Sequence, residues 1–120
     1  RELIARVKAV MRRRSDNKER IFISKDLIVD YDLHEVYVND EKIALTPIEF
    51  NILELFTKYP RRVFPRSEII DIIYQDDFEG YDRAIDSHIK NLRKKLKDIG
   101  KKYIITVHGI GYKFVGENDA

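Results

Sequence analysis

Apolar positions along the chain change period several times, and each change marks a new element. Leu3, Ile4, Val7, Val10 and Met11 recur at i, i+1, i+4, i+7 and i+8 with Arg6, Lys8 and Arg12 on the other side, which predicts an amphipathic helix over residues 1–13. From Arg12 to Arg20 the chain is polar and charged, and it reads as a linker. From Ile21 to Ala44 the pattern shortens to strands. Ile21–Ile23, Leu27–Asp30, Glu35–Val38 and Glu41–Ala44 alternate or run apolar between polar breaks and an Asn39-Asp40 turn, as in a small antiparallel meander.

Thr46-Pro47-Ile48-Glu49 then signals a helix start, with Thr46 as N-cap, Pro47 at the first helical position and Glu49 reaching back to the cap. Leu45 and Phe50 stand where a hydrophobic staple belongs. Ile52, Leu53 and Phe56 carry the apolar face on until Tyr59-Pro60 ends it. A second helix is predicted from about Arg66 or Ser67 through Ile69, Ile70, Ile73 and Tyr74. A third covers 82–97: Ile85, Ile89, Leu92, Leu96 and Ile99 fall on one stripe, and Arg83, Ser87, Lys90, Lys94 and Lys97 fall opposite. Finally, Thr106-Val-His-Gly-Ile-Gly-Tyr-Lys-Phe114 reads as a tight hairpin within a wing over 104–114, with Gly109 and Gly111 flanking Ile110 at its tip, where positive φ or close approach of the backbone to a phosphate would be needed. The expected fold is α+β: a winged helix-turn-helix with an N-terminal antiparallel four-stranded sheet, three helices and a C-terminal β-hairpin wing.

The formal charge of +2 hides a strong segregation. Residues 1–20 carry eight Lys/Arg against three Asp/Glu, 21–82 six against fourteen, and 83–115 nine against two. A basic helix and hairpin behind an acidic sheet point to a polyanionic partner for the former. Chemistry of other kinds finds little support. Without cysteine there is no disulfide frame or thiolate site, which fits a cytoplasmic protein. No apolar run approaches the roughly 18 residues of a membrane span. The three histidines, His34, His88 and His108, fall on a turn, a helix and a hairpin with no nucleophile or metal-ligand spacing, so neither an enzyme nor a cofactor is expected. Three carboxylates in Asp76-Asp77-Phe78-Glu79 match no calcium-loop spacing.

Three blocks, Leu45-Thr-Pro-Ile-Glu-Phe50, Arg83-Ala-Ile-Asp-Ser-His-Ile-Lys-Asn-Leu-Arg-Lys-Lys-Leu96 and Gly109-Ile-Gly-Tyr-Lys-Phe114, resemble the OmpR/PhoB-type effector domain of bacterial two-component response regulators. The resemblance covers about residues 21–115. Residues 1–14 are similar to the last helix of the receiver domain that precedes such an effector, which implies a division into 1–14, a linker at 15–20, the winged helix at 21–116 and a tail at 117–120. It further implies sequence-specific binding to double-stranded DNA at tandem half-sites, a dimer on DNA, contact with RNA polymerase, and control by a cognate sensor kinase through a receiver domain. Removed from a receiver, the stripe Leu3 to Met11 is expected to be covered by a second copy of the chain or by the 21–44 sheet.

Roles follow residue by residue. Ser87, Lys90, Asn91 and Lys94 share the exposed face and are expected to read base edges, with Asn91 suited to adenine and a lysine to guanine. By resemblance Arg83, His88, Lys90, Thr106 and Tyr112 hold phosphates, with Tyr74 joining from the second helix. His88 equally suits the border of the buried stripe, Tyr112 the hairpin base and Tyr74 the core. Arg93 and Asp86 project to one flank, where an intrahelical or inter-helix ion pair competes with a DNA contact. By resemblance Asp76, Asp77, Phe78 and Glu79 face the polymerase; a solvated loop is the competing reading. The chain departs from the family pattern twice: His108 stands where an arginine commonly enters the minor groove, which predicts a weaker grip there, and Pro65 stands where a serine often caps the second helix, leaving Ser67 as a later cap or none. The alternative from another class is a winged helix that binds protein, or RNA by shape, distinguished by weak sequence preference.

Overall fold

The computed structural model describes residues 20–74 and 82–116, without the side chains of 82–84. The helix expected over 1–13, the linker, the acidic loop 75–81 and the tail 117–120 lie outside the described residues. The chain divides into two compact units, meeting in sequence between Ala44 and Leu45.

The first unit is a four-stranded antiparallel sheet in the order β1 (Ile21–Ile23), β2 (Leu27–Asp30), β3 (Glu35–Val38), β4 (Glu41–Ile43). Leu27 pairs with Val38 and Val29 with Val36, which puts four buried aliphatic side chains on one face. The Asn39-Asp40 turn has positive φ at both residues, 50° and 71°, as a two-residue hairpin joining right-twisted strands requires. The Asp30 carboxylate accepts the Leu33 amide at 3.0 Å and closes the preceding loop.

The second unit begins at Leu45. Helix α1 (Pro47–Lys58) starts with the expected reciprocal cap: Thr46 Oγ1 accepts the Glu49 amide at 3.2 Å, and Glu49 Oε1 accepts the Thr46 amide at 3.0 Å. Helix α2 (Arg66–Tyr74) begins directly after Pro65, so Ser67 lies inside the helix and does not cap it. Helix α3 (Asp82–Lys95) buries Ile85, Ile89, Leu92 and, just past its end, Leu96. Each such side chain contributes roughly 1.5–3 kcal/mol, so this stripe anchors α3 against the rest of the unit.

Two features differ from expectation. The third helix stops at Lys95, not Lys97, and a fourth, α4 (Asp98–Tyr103), follows a reversal in which Lys97 takes φ 61°. Ile99 stays buried, now from α4, because Gly100 seats against the α3 backbone: a Cβ there would lie 2.2 Å from the Arg93 carbonyl oxygen. The hairpin β6 (Ile104–Val107) and β7 (Gly111–Phe114) is joined by a two-residue strand, β5 (Phe64–Pro65), giving a three-stranded sheet in the order β5-β7-β6. Phe64, stacked on Phe56 at 5.9 Å, ties this sheet to α1, and Phe114 meets Tyr103 edge-on at 5.8 Å.

Candidate nucleic-acid interface

Ser87, Lys90, Asn91 and Lys94 are all exposed, on the side of α3 opposite its buried stripe. They recur at i, i+3, i+4 and i+7 and so line about 10 Å of helix. None makes a side-chain hydrogen bond or ion pair with another described residue. An amide, a hydroxyl and two ammonium groups thus stand in water with their hydrogen-bonding capacity unused.

The wing tip is the second exposed element. His108, Gly109 and Ile110 connect β6 to β7, with Gly109 at φ 80° and Ile110 52% exposed. Gly109 keeps the expected role at the tip, where its backbone conformation favours glycine. Gly111 has a different one. It is buried, and its missing side chain admits the neighbouring strand: a Cβ would lie 2.0 Å from the Phe64 carbonyl oxygen. Gly111 therefore builds the wing and is not placed to meet a phosphate.

Between these surfaces lies a polar network that the linear pattern does not announce. Asp86 Oδ1 accepts Arg66 Nε at 2.8 Å and the Tyr112 hydroxyl at 2.5 Å. Burial by itself would push the Asp86 carboxyl up, but the Tyr112 bond, with the bond and charge of Arg66, outweighs it and holds the carboxyl below its ordinary range. The Tyr112 phenol is pushed up by burial, reinforced by the bond to Asp86 and the charge of that carboxylate. Arg93 turns away from Asp86: its Nε and Nη2 donate to the Ile104 carbonyl at 3.1 and 2.8 Å, and Nη2 also donates to Thr106 Oγ1 at 2.8 Å. Of the two readings for this flank, Asp86 takes the inter-helix ion pair, with Arg66 of α2, while Arg93 pairs with no carboxylate among the described residues and instead holds the wing.

The expected phosphate ligands separate accordingly. Tyr112 is 5% exposed and its one hydroxyl proton goes to Asp86, so it has none to give a phosphate oxygen; of its two readings, the packed one describes its place here. Half-buried Thr106 accepts from Arg93 and keeps its own proton for an outside acceptor. His88 is half-buried, with Nε2 3.3 Å from the hydroxyl of half-buried Tyr74, which brings together these two residues of α3 and α2. The side chain of Arg83 and the loop residues Asp76, Asp77, Phe78 and Glu79 lie outside the described residues. Among the described residues no helix is long and apolar enough to cross a membrane.

A further contact was also hidden in the sequence. Glu49, its side chain only 3% exposed, accepts Lys95 Nζ at 2.7 Å on the oxygen that caps α1. This joins the start of α1 to the end of α3 across 46 residues. Burial raises the Glu49 carboxyl, but the Lys95 and Thr46 hydrogen bonds and the lysine charge bring it below its ordinary value. Only the capping half of this arrangement leaves a local signal.

Comparison with known proteins places this geometry. Residues 40–114 match the family described as transcriptional regulatory protein, C terminal. The transcriptional regulatory protein ResD of Bacillus subtilis is 34% identical over 125 residues, covering 95% of this chain and 52% of that protein. The response regulator DrrB of Thermotoga maritima, an OmpR/PhoB homologue, superposes with a TM-score of 0.75 at 28% identity over 89% of this chain and 49% of its own. The DNA-binding domain of Klebsiella pneumoniae RstA, solved in complex with the RstA box, superposes with a TM-score of 0.72 at 26% identity over 80% of this chain and 97% of its own. The chain spans about half the length of the curated relatives it matches.

Proposed function

The chain belongs to the family of transcriptional regulatory protein C-terminal domains, and from that premise we propose that it is the effector part of a two-component response regulator that binds double-stranded DNA by sequence. The observation that carries this reading is the face of α3: Ser87, Lys90, Asn91 and Lys94 are exposed together, unpaired with other described residues, on a helix fixed by four apolar side chains on its other side. A helix of this kind fits the major groove, about 12 Å wide, and these side chains carry donors and acceptors for base edges. Lys90 and Lys94 add counterion release on binding. His108, Gly109 and Ile110 then meet the adjoining minor groove, while the Thr106 hydroxyl, His88 and Arg83 meet phosphates. RstA, similar in fold and solved on its box, supports this choice of ligand.

Assembly and control follow as part of the same proposal. Two copies bind tandem half-sites, Asp76, Asp77, Phe78 and Glu79 contact RNA polymerase, and a sensor kinase acts through a receiver domain, in keeping with the half-length match to regulatory relatives. Selection of bound sequences from a random duplex pool, followed by salt titration on the winners, tests the core of the reading. One enriched motif with affinity falling steeply in log salt is the expected result. Equal binding to all duplexes, or preference for duplex RNA, would replace it with a shape-reading or protein-binding winged helix.

A further inference from the structure

Recognition through both a helix and a wing demands that the two surfaces meet DNA at a fixed angle. The hairpin alone does not supply that angle, because β-ribbons twist and bend about their own pairing. Two polar connections run from α3 to the wing, and they converge on a single rung of the sheet. Thr106 of β6 and Tyr112 of β7 are directly paired. Arg93 holds the β6 side of this rung through Thr106 Oγ1 and, two residues earlier on the same strand, through the Ile104 carbonyl, and Asp86 holds the β7 side through the Tyr112 hydroxyl. Asp86 and Arg93 are two helical turns apart on one flank of α3, about 10 Å along its axis. A rung tied from both strands to points so separated on the helix resists pivoting about either contact alone. The guanidinium of Arg93 also lies 5.6 Å from the Tyr112 ring centroid, and that of Arg66, which fixes Asp86, lies 5.1 Å from it.

We propose that Asp86, Arg93 and Tyr112 form a two-point clamp that sets the angle between the recognition helix and the wing, making both one rigid reading surface. Asp86 and Arg93 are positioning residues in this scheme. The inference about the angle stands on the contacts alone, and its consequence for DNA rests on the reading proposed above. Chemistry favours orientation over stability as the clamp's purpose. The Asp86 side chain is 45% exposed, and ion pairs so placed contribute little to folding. The wing's attachment to the core comes from Phe64, Ile104 and Phe114, which are buried. Arginine matters at position 93 because its planar fork reaches a carbonyl and a hydroxyl at once, which the single ammonium of lysine does not reproduce.

The test uses Arg93→Lys and Tyr112→Phe in the full chain; the first keeps the charge and the second keeps the ring. Residual dipolar couplings of amides in 104–107 and 111–114, referred to those in 85–95, report the wing angle without DNA. Both variants should change or average the wing couplings, with a thermal midpoint near that of the parent. Parent couplings in both variants would overturn the clamp, whatever their stability. On the selected duplex, His108→Ala should weaken binding in the parent background, and its effect should shrink by about tenfold in the Arg93→Lys background, within the range of coupling inside one network. Independent, multiplicative losses would show that the wing's aim does not depend on Arg93. A parent chain that selects no DNA sequence would sink the proposed function, and the dipolar couplings would still decide the clamp.

Discussion

Replacing Glu49 separates the two roles of one buried carboxylate. Its Oε1 accepts the Thr46 amide at 3.0 Å and Lys95 Nζ at 2.7 Å. In Glu49→Gln the amide oxygen can take the same place and cap α1, since glutamine serves in capping boxes. What disappears is the charge. Charged hydrogen bonds contribute about 1.5–3 kcal/mol and neutral ones about 0.5–1.5, so the glutamine variant should lose about 1 kcal/mol. Glu49→Ala loses the cap as well and should cost about 2–3 kcal/mol, below the 3–5 of a fully buried pair because Lys95 can turn its amine to water. Lys95, 38% exposed, has that freedom. Thermal melts should register the glutamine change as a fall of about 4–8 °C. The pH dependence fixes the assignment. A carboxyl whose folded pKa is lowered contributes above its unfolded pKa, about 4.3, and that contribution fades as pH falls through the lower folded value. The stability gap between parent and Glu49→Gln should therefore be full at pH 6 and close progressively in acid. A gap that persists unchanged at low pH, or a Glu49/Lys95 double-mutant cycle with coupling under about 0.3 kcal/mol, refutes the argument.

Other consequences can be checked with single variants. Asn91→Ala should reduce discrimination at one or two base pairs by about 1–3 kcal/mol, and equal loss on every duplex would remove Asn91 from the reading face. Arg83→Ala, at the second position of α3, should weaken all duplexes alike and lower the salt slope by about one, as measured by titration at several salt concentrations. His108→Arg should tighten binding most on A·T-rich sites with a narrow minor groove; identical affinity on those sites would place the wing tip outside the groove. Gly111→Ala should cost about 1–3 kcal/mol or more by forcing β7 from the Phe64 carbonyl, whereas Gly109→Ala, with open space around its Cβ, should cost about 1 kcal/mol of backbone strain alone; melts showing the reverse order would contradict the packing argument.

What the sequence revealed depended on how far each feature reaches along the chain. Strands β1 to β3 fall where alternation predicts, and the α1 cap involves residues three apart, so both are written in adjacent letters. The exposed face of α3 was equally legible: helical period alone places Ser87, Lys90, Asn91 and Lys94 opposite Ile85, Ile89 and Leu92. The end of α3 was not, because the stripe runs on to Ile99 as though the helix continued, and only Gly100 hints at the break. Strand β5 has two residues, too few for any period to show.

The wing contacts illustrate the same limit with chemical consequences. Tyr112 sits among residues whose family role suggested phosphate, and nothing local indicates that its proton is already given to an aspartate 26 positions earlier. Arg93 and Asp86 were recognisable as neighbours on one flank, but their partners lie on strands whose register fixes them only in three dimensions. Helical period settles which α3 residues face outward. It cannot distinguish an outward residue that meets DNA from one that holds the next element of the protein. That distinction needs the donors to be counted: Lys90, Asn91 and Lys94 reach the surface with theirs uncommitted, whereas Arg93, the first of three consecutive cationic residues, gives its guanidinium to Ile104 and Thr106.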